Sequence, residues 1–182
     1  LLSPVTDGGE GFLEAMVNGT KGYVKAVTVH DALMRPVTVE IGFTPDGQTA
    51  FIEMARASGL ELISPGERNP LITSTFGTGE MMLAAIREGC TRIIMGIGGS
   101  ATNDGGAGMA QALGFRLLDS SGKDLPPGGG TLSNLKAIDT SGVSPEILKI
   151  PITPGISNKW KIPEILVACD VTNPLFGPNG AA

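Results

Sequence analysis

The chain has 182 residues, enough for one domain of ordinary size or two small ones. Hydrophobic residues make up 41% and charged residues 17%, a globular composition that excludes a disordered chain. The net charge is −5, and the sequence shows no basic stripe, no signal peptide and no long apolar span. We therefore expect no nucleic-acid partner, no membrane insertion and no export.

The cysteines and the histidine limit the chemistry of the chain. Cys90 and Cys169 are far apart, which fits neither a disulfide framework nor a CxxC metal site. We expect both to be buried, reduced thiols in a cytoplasmic protein. With His30 as the only histidine, a zinc site is excluded, a Ser-His-Asp triad is not expected, and a structural role for His30 is favoured.

The first half of the chain has the pattern of a short helix followed by three strands. Apolar spacing predicts a helix over Gly11–Asn18, and β-branched alternation predicts strands over Tyr23–His30 and Pro36–Phe43. A third strand is expected over Thr49–Ala55, followed by a helical turn over Ala55–Gly59. These strands predict a mixed or antiparallel meander.

The second half of the chain alternates helices with strands. A helix is predicted over Thr78–Glu88 with Thr78 as its N-cap, followed by a fully apolar run over 92–97 that is typical of a buried parallel strand. Another helix is predicted over Gly106–Leu113. Further strands are expected over Phe115–Leu118 and Ile162–Cys169, with an irregular stretch over Ser144–Lys161 before the last of them. The predicted fold class is α/β, with a mixed sheet and helices.

A glycine-rich run, GIGGSATNDGGAG at Gly96–Gly108, connects the apolar strand to the next helix. In α/β sheets ligands bind at the carboxyl ends of strands, and glycines let backbone N–H groups approach an anion. Ser100, Thr102 and Asn103 add neutral hydrogen-bonding groups, and Asp104 can hold a metal or accept a hydroxyl proton. The alternative is a tight turn with Asp104 as a helix cap. The run is neither a Walker A loop nor a dinucleotide fingerprint.

Three shorter motifs carry further candidate groups. The DGGEG motif at Asp7–Gly11 places two carboxylates at a helix start, suited to hydroxyl activation or metal binding in phosphate transfer, or simply to capping. In ACDVTNPL at Ala168–Leu175, Asp170 just past a strand is either a metal or substrate ligand or the start of an Asx-turn. TSTFGTGE at Thr73–Glu80 offers four hydroxyls, enough to surround a sugar acid or a phosphate.

Together, these four motifs resemble the glycerate kinases of the bacterial type, the type-1 family. The FIEMA segment at Phe51–Ala55 and the NPL segment at Asn69–Leu71 are also similar to that family, and the similarity covers nearly the whole chain. The resemblance implies ATP-dependent phosphorylation of D-glycerate with Mg²⁺, in a two-domain α/β enzyme whose site lies between the domains. Two alternatives stay open: a kinase for another small hydroxy acid, and a non-catalytic fragment that binds an anion or nucleotide.

The resemblance also assigns roles to single residues, motif by motif. The expected catalytic carboxylates are Asp104, Asp7 and Glu10, and Asp170 is the expected metal ligand. The expected substrate- or phosphate-binding residues are Gly98, Gly99, Ser100, Thr102, Asn103, Thr75 and Thr78.

Two departures from the family pattern bear on activity. Family members carry an Ala-Pro-Asp-Ser-Phe-Lys type segment before the position of Pro4 and a later Thr-Gly-Glu-Gly segment, and neither occurs in this sequence. We therefore expect residues 1–182 to be a family region truncated at both ends, inactive alone and dependent on the remainder of its own chain. The segment Ile150–Ile162 resembles a local insertion, and a subdivision of the region is expected near 60–75.

Overall fold

The computed structural model describes residues 8–143, 147, 163–169, 172, 174, 177, 178 and 180. The strands are β1 (Tyr23–His30), β2 (Pro36–Phe43), β3 (Thr49–Glu53), β4 (Arg92–Gly96), β5 (Arg116–Leu118), β6 (Ala137–Asp139) and β7 (Glu164–Ala168). The helices are α1 (Phe12–Thr20), α2 (Ala55–Ser58), α3 (Phe76–Arg87) and α4 (Ala107–Ala112), with short 3₁₀ turns at Leu60–Leu62, Pro65–Glu67 and Gly129–Asn134.

Five strands form one mixed sheet in the spatial order β1-β2-β3-β4-β7. The first three are an antiparallel meander, as the sequence predicted, and β3, β4 and β7 run parallel. In the parallel part Glu53 lies opposite Gly96, and Gly96 lies opposite Ala168. The carboxyl ends of three strands therefore meet at one edge of the sheet, where α/β proteins bind ligands. A separate small sheet pairs β5 with β6.

The two faces of the sheet are covered by different helices. On one face, Phe12 and Leu13 of α1 pack against Phe51. On the other, Met81 and Met82 of α3 belong to a larger buried cluster. The strand residues of that cluster include Val29, Val39, Ile41, Phe43, Ala50, Ile52, Ile93 and Met95. Because side chains alternate along a strand, neighbouring residues of β3 serve opposite faces, and the strand is buried on both.

The sequence-based elements are confirmed where the local pattern is strong. Both strands of the β1–β2 hairpin begin and end as predicted. The third strand ends earlier than expected, at Glu53, because Met54 already has helical backbone angles. Among the described residues no helix is long and apolar enough to span a bilayer. The irregular stretch Ser144–Lys161 lies outside the described residues apart from position 147.

Two predictions about single residues are wrong. Helix α3 begins at Phe76, so Thr78 lies inside the helix, buried, with its hydroxyl 2.8 Å from the Ser58 hydroxyl. Thr75 occupies the N-cap position instead, and the Phe76 N–H donates to Ser74 Oγ at 3.2 Å. Cys169 is exposed, whereas Cys90 is buried as expected. The subdivision near 60–75 stays a prediction.

Helices α3 and α4 approach each other at backbone distance. A Cβ atom added to Gly79 would lie 2.5 Å from the carbonyl oxygen of Met109 and 2.7 Å from the Cβ of Ala112. Real Cβ atoms do not come this close to backbone atoms, so the helix pair depends on the missing side chain. This contact fixes α4, and with it the end of the glycine-rich loop, against α3.

We expect Gly79→Ala to destabilise the fold, although alanine favours a helix by about 1 kcal/mol over glycine. Overpacking of this kind costs about 1–3 kcal/mol, and the clash therefore outweighs the helix preference. Gly19 is the matched control, because it lies in α1 and an added Cβ would meet nothing within 4 Å. Urea denaturation should show Gly19→Ala equal to or more stable than the unsubstituted chain and Gly79→Ala less stable. Equal midpoints for the two variants would contradict the close approach.

Candidate active site

The two glycine motifs that the sequence places far apart lie against each other at the carboxyl edge of the sheet. The Gly98 N–H donates to the carbonyl oxygen of Gly8 at 3.0 Å. A Cβ atom on Gly98 would lie 2.5 Å from the Cα of Gly9, and one on Gly96 would lie 2.4 Å from the Gly8 oxygen. Gly96 and Gly98 thus permit backbone-on-backbone packing, and the N–H of Gly98 is already used within the protein.

The middle of the glycine-rich loop keeps open hydrogen-bond donors. Gly99 has a φ of +70°, a left-handed conformation that suits glycine. Within the described part of the chain, the backbone N–H groups of Gly99 and Asn103 donate to no acceptor, and both residues are exposed. Alternating backbone conformations with outward N–H groups are what anion-binding loops present. The loop therefore offers open amide donors at Gly99 and Asn103, and the binding roles predicted for Gly98, Gly99 and Asn103 stay predictions.

The hydroxyl groups of the loop bond mainly to each other. Ser100 Oγ lies 2.8 Å from Thr102 Oγ1, and it accepts the Thr102 N–H at 3.1 Å. Both residues are half-buried, so the pair shapes the turn. Thr73 Oγ1 donates to the Ala101 carbonyl at 2.8 Å, which ties the loop to the segment before α3. The substrate contacts predicted for Ser100 and Thr102 stay predictions.

Asp104 is a buried carboxylate, 1% exposed, that joins two helix starts. It accepts the Thr75 N–H at 2.8 Å and the Thr75 hydroxyl at 3.0 Å. It also accepts the N–H groups of Gly106 and Gly108, each at 3.1 Å. No lysine or arginine forms an ion pair with it in the part of the chain that is described. Its charge is balanced by donors at the starts of α3 and α4, where helix dipoles favour an anion.

Thr75 belongs to the same buried network. Its hydroxyl donates to Asp104 and accepts the Met109 N–H at 2.9 Å, so both of its hydrogen-bonding directions are satisfied inside the protein. The binding roles predicted for Thr75 and Thr78 stay predictions, because both hydroxyls are buried against protein partners. The catalytic role of Asp104 also stays a prediction.

A cavity of about 510 Å³ opens beside the exposed part of the loop. Gly99 forms one side of it, and Glu10 from the first glycine motif forms another. Its remaining walls combine aliphatic side chains with charged ones: Val37, Thr38, Val39, Glu53, Ala55, Arg56, Leu60, Glu61 and Leu62. The structure thus brings Glu10 and Gly99 together at one cavity, while Asp7 and Asp170 lie outside the described residues.

Glu53 is the cavity residue that sequence reasoning missed. It is 3% exposed, stands at the carboxyl end of β3, and accepts the Leu13 N–H at 3.0 Å. The available signal was an acidic residue directly after a buried apolar run, which is the same signal that selected Asp170. In the sequence, Glu53 stands out only as part of the FIEMA segment at Phe51–Ala55.

Arg56 is the one cationic residue of the cavity wall among those described. Its guanidinium pairs with Glu14 and, at 3.4 Å, with Glu40, and its Nε lies 3.7 Å from Glu53 Oε2. The hydrogen bond from Arg56 lowers the pKa of Glu14. The Nε atom is buried and has no hydrogen-bond partner among the described residues. The wall is therefore crowded with carboxylates around one guanidinium.

Other reactive side chains lie outside this cavity. His30 Nδ1 lies 3.0 Å from both carboxylate oxygens of Glu80, consistent with the structural role expected for it. Burial raises the pKa of the Cys90 thiol to about 11, which keeps it protonated at neutral pH. No group of three or more His, Cys, Asp or Glu residues within the described ranges is arranged to hold a metal ion.

Comparison with known proteins finds similar chains over nearly the whole length of this one. The chain is 51% identical over 178 residues to glycerate kinase of Bacillus subtilis (strain 168) and 51% identical over 179 residues to glycerate 2-kinase of Escherichia coli (strain K12). Each alignment covers 98% of this chain but only 43% and 44% of the two relatives. The chain thus spans less than half the length of the curated relatives it matches.

A solved structure gives the same result. A crystal structure of a protein from Salmonella typhimurium LT2, assigned as glycerate kinase 2, matches with a TM-score of 0.85 at 48% identity, covering 98% of this chain and 44% of that one. The mixed α/β fold predicted from the sequence is thereby confirmed. The model of the glycerate kinase family matches residues 1–182. The chain therefore belongs to the glycerate kinase family.

Proposed function

We propose that the protein containing this chain transfers a phosphoryl group from ATP to D-glycerate, and that this chain supplies one wall of the active cleft. The observation that carries the proposal is the cavity between Gly99 and Glu10, at the carboxyl ends of parallel strands. Gly99, whose backbone N–H is open, and carboxylates meet there. The relatives named glycerate kinase support the substrate, and the name of the Escherichia coli relative favours the 2-hydroxyl as the acceptor.

The glycine-rich loop and the carboxylates have different roles in this proposal. The N–H groups of Gly99 and Asn103 bind an anion, either a phosphate of ATP or the carboxylate of glycerate, with Ser100 and Thr102 shaping the turn. Glu10, together with Asp7, orients the hydroxyl of glycerate and accepts its proton. Phosphoryl transfer depends mostly on positioning and charge stabilisation, so this set of groups suits the reaction.

Asp104 contributes by holding the loop in shape. Its carboxylate is fully engaged by donors from Thr75, Gly106 and Gly108, and this ties the far end of the loop to α3. Direct contact with substrate would require some of these bonds to open, at a cost of about 1.5–3 kcal/mol for each hydrogen bond to a charged group.

Mg²⁺ fits the donor chemistry of the site. Magnesium in kinases binds one or two carboxylates together with phosphate oxygens and water. It therefore needs no cluster of three acidic residues. Asp170 would hold it, while Glu10 and Asp7 face the hydroxyl of glycerate. When bound, the ion would neutralise charge on the transferring phosphate.

Two alternatives to phosphorylation of D-glycerate by this chain are each supported by one observation. The coverage of 43–44% of the relatives favours a binding role without turnover for this chain by itself. A kinase for a different small hydroxy acid fits the same cavity of about 510 Å³, whose walls combine aliphatic and charged side chains.

A coupled ADP-release assay tests the activity. The intact protein should release ADP on addition of D-glycerate with ATP and Mg²⁺, and show only background release without the acceptor. The 182-residue chain alone should bind ATP without turnover, because it holds only one wall of the cleft. Turnover with another hydroxy acid but not with D-glycerate would favour the second alternative. Lack of turnover by the intact protein with any hydroxy acid would contradict the proposal.

A pair of variants tests the role of Asp104. Asp104→Asn removes the charge, and Thr75→Val removes a hydroxyl that supports the same network. If Asp104 only holds the loop, each variant should lose about 2–3 kcal/mol of unfolding free energy. The two variants should then also lose activity to a similar extent. Unfolding by urea and initial rates of ADP release measure the two effects. A loss of turnover in Asp104→Asn more than about 100-fold beyond that in Thr75→Val would instead show chemical participation.

A further inference from the structure

We propose that Glu53 is a positioning residue of the cavity, which fixes both the start of helix α1, next to Glu10, and the guanidinium of Arg56. Its importance for catalysis rests on the proposed function. The position itself rests on contacts of the described residues.

The first contact joins Glu53 to α1. The N-terminal N–H groups of any helix lack partners within the helix, and a side chain usually caps them. In α1 the N-cap residue is Gly11, which has no side chain to do so. Glu53 Oε2 accepts the Leu13 N–H at 3.0 Å from the neighbouring strand. The start of α1, and with it the adjacent Glu10, is therefore held to the end of β3.

The second contact joins the same oxygen to Arg56. Glu53 Oε2 lies 3.7 Å from Arg56 Nε, the guanidinium nitrogen that is buried without a hydrogen-bond partner among the residues described. The terminal nitrogens of Arg56 reach Glu14 on α1 and Glu40 on β2. The negative charge of Glu53 thus balances the positive charge of the guanidinium on its buried side, at Nε. Its removal would leave that side unpaired.

Glu53 is also fixed relative to the start of the glycine-rich loop. Glu53 lies opposite Gly96 in the parallel ladder, and the Met54 N–H donates to the Gly96 carbonyl oxygen at 2.9 Å. The Glu53 carboxylate therefore fixes three parts of the cavity relative to each other: the strand end before the loop, the Glu10 side and the Arg56 side. A shift of a catalytic group by about 1 Å can lower turnover about 100-fold. A residue with these contacts should influence kcat without touching the substrate.

Glu53→Gln in the intact protein is the decisive variant, because the amide keeps an oxygen for the Leu13 N–H and loses the charge facing Arg56. Glu88→Gln is the matched control, since Glu88 forms an exposed ion pair with Lys25 away from the cavity. We expect Glu53→Gln to lower kcat for D-glycerate at least about tenfold, with the KM for ATP within about twofold. Glu88→Gln should keep both values.

A double substitution tests the route through Arg56. If Glu53 acts by orienting Arg56, Glu53→Gln combined with Arg56→Gln should lower kcat no more than the more damaging single change. Full additivity of the two effects would overturn this route. Retained kcat in Glu53→Gln, or a loss that equals the fall in folded protein measured by thermal unfolding, would overturn the positioning role.

Hydrogen exchange separates this inference from the proposed function. The Leu13 amide should exchange at least about tenfold faster in Glu53→Gln than in Glu88→Gln, since its acceptor is weakened. If the intact protein does not phosphorylate glycerate, the proposed function fails and the exchange rate alone decides the position of α1. Equal exchange rates at Leu13 in the two variants would then overturn the role of Glu53.

Discussion

The carboxylate of Asp104 is buried without an ion-pair partner among the described residues, and its charge must be met by hydrogen-bond donors. Those donors come from Thr75 before α3 and from Gly106 and Gly108 at the start of α4. Because these donors come from the segment before α3 and from the start of α4, the carboxylate links the two helix starts to each other. The glycine-rich loop leads into α4, and its exposed Gly99 lines the cavity.

Glu53, like Asp104, is a buried carboxylate that accepts a backbone N–H at the start of a helix. Both α1 and α4 have a glycine in the left-handed conformation at the N-cap, Gly11 and Gly106, and neither helix has a side-chain cap of its own. A buried acid outside the helix supplies the missing acceptor in each case: Glu53 from the neighbouring strand for α1, and Asp104 from the preceding loop for α4. The protein thus combines helix capping with the placement of negative charge near the cavity. A helix end that is held this way moves only with the element that caps it.

The sequence predicts the elements better than their contacts. The β1–β2 hairpin follows from alternating β-branched residues, and the buried parallel strand β4 follows from a short apolar run. Local sequence pattern predicts the start of α3 at Thr78, two residues late, because it does not contain the packing through which Phe76 and Gly77 join the helix. The same holds for the site. Glu53 meets Leu13 across forty residues of sequence, and no local pattern encodes that distance. The roles of Asp7 and Asp170 remain predictions.

The packing of Gly98 on Gly9 has a consequence for how such a site can diverge. Where two backbones touch there is no room for a Cβ atom, so we expect Gly96 and Gly98 to tolerate almost no substitution. Variation is instead open to residues that face the cavity with side chains, such as Val37, Thr38 and Leu60. We expect a change of acceptor preference during evolution to arise at those cavity residues, while Gly96 and Gly98 stay glycine.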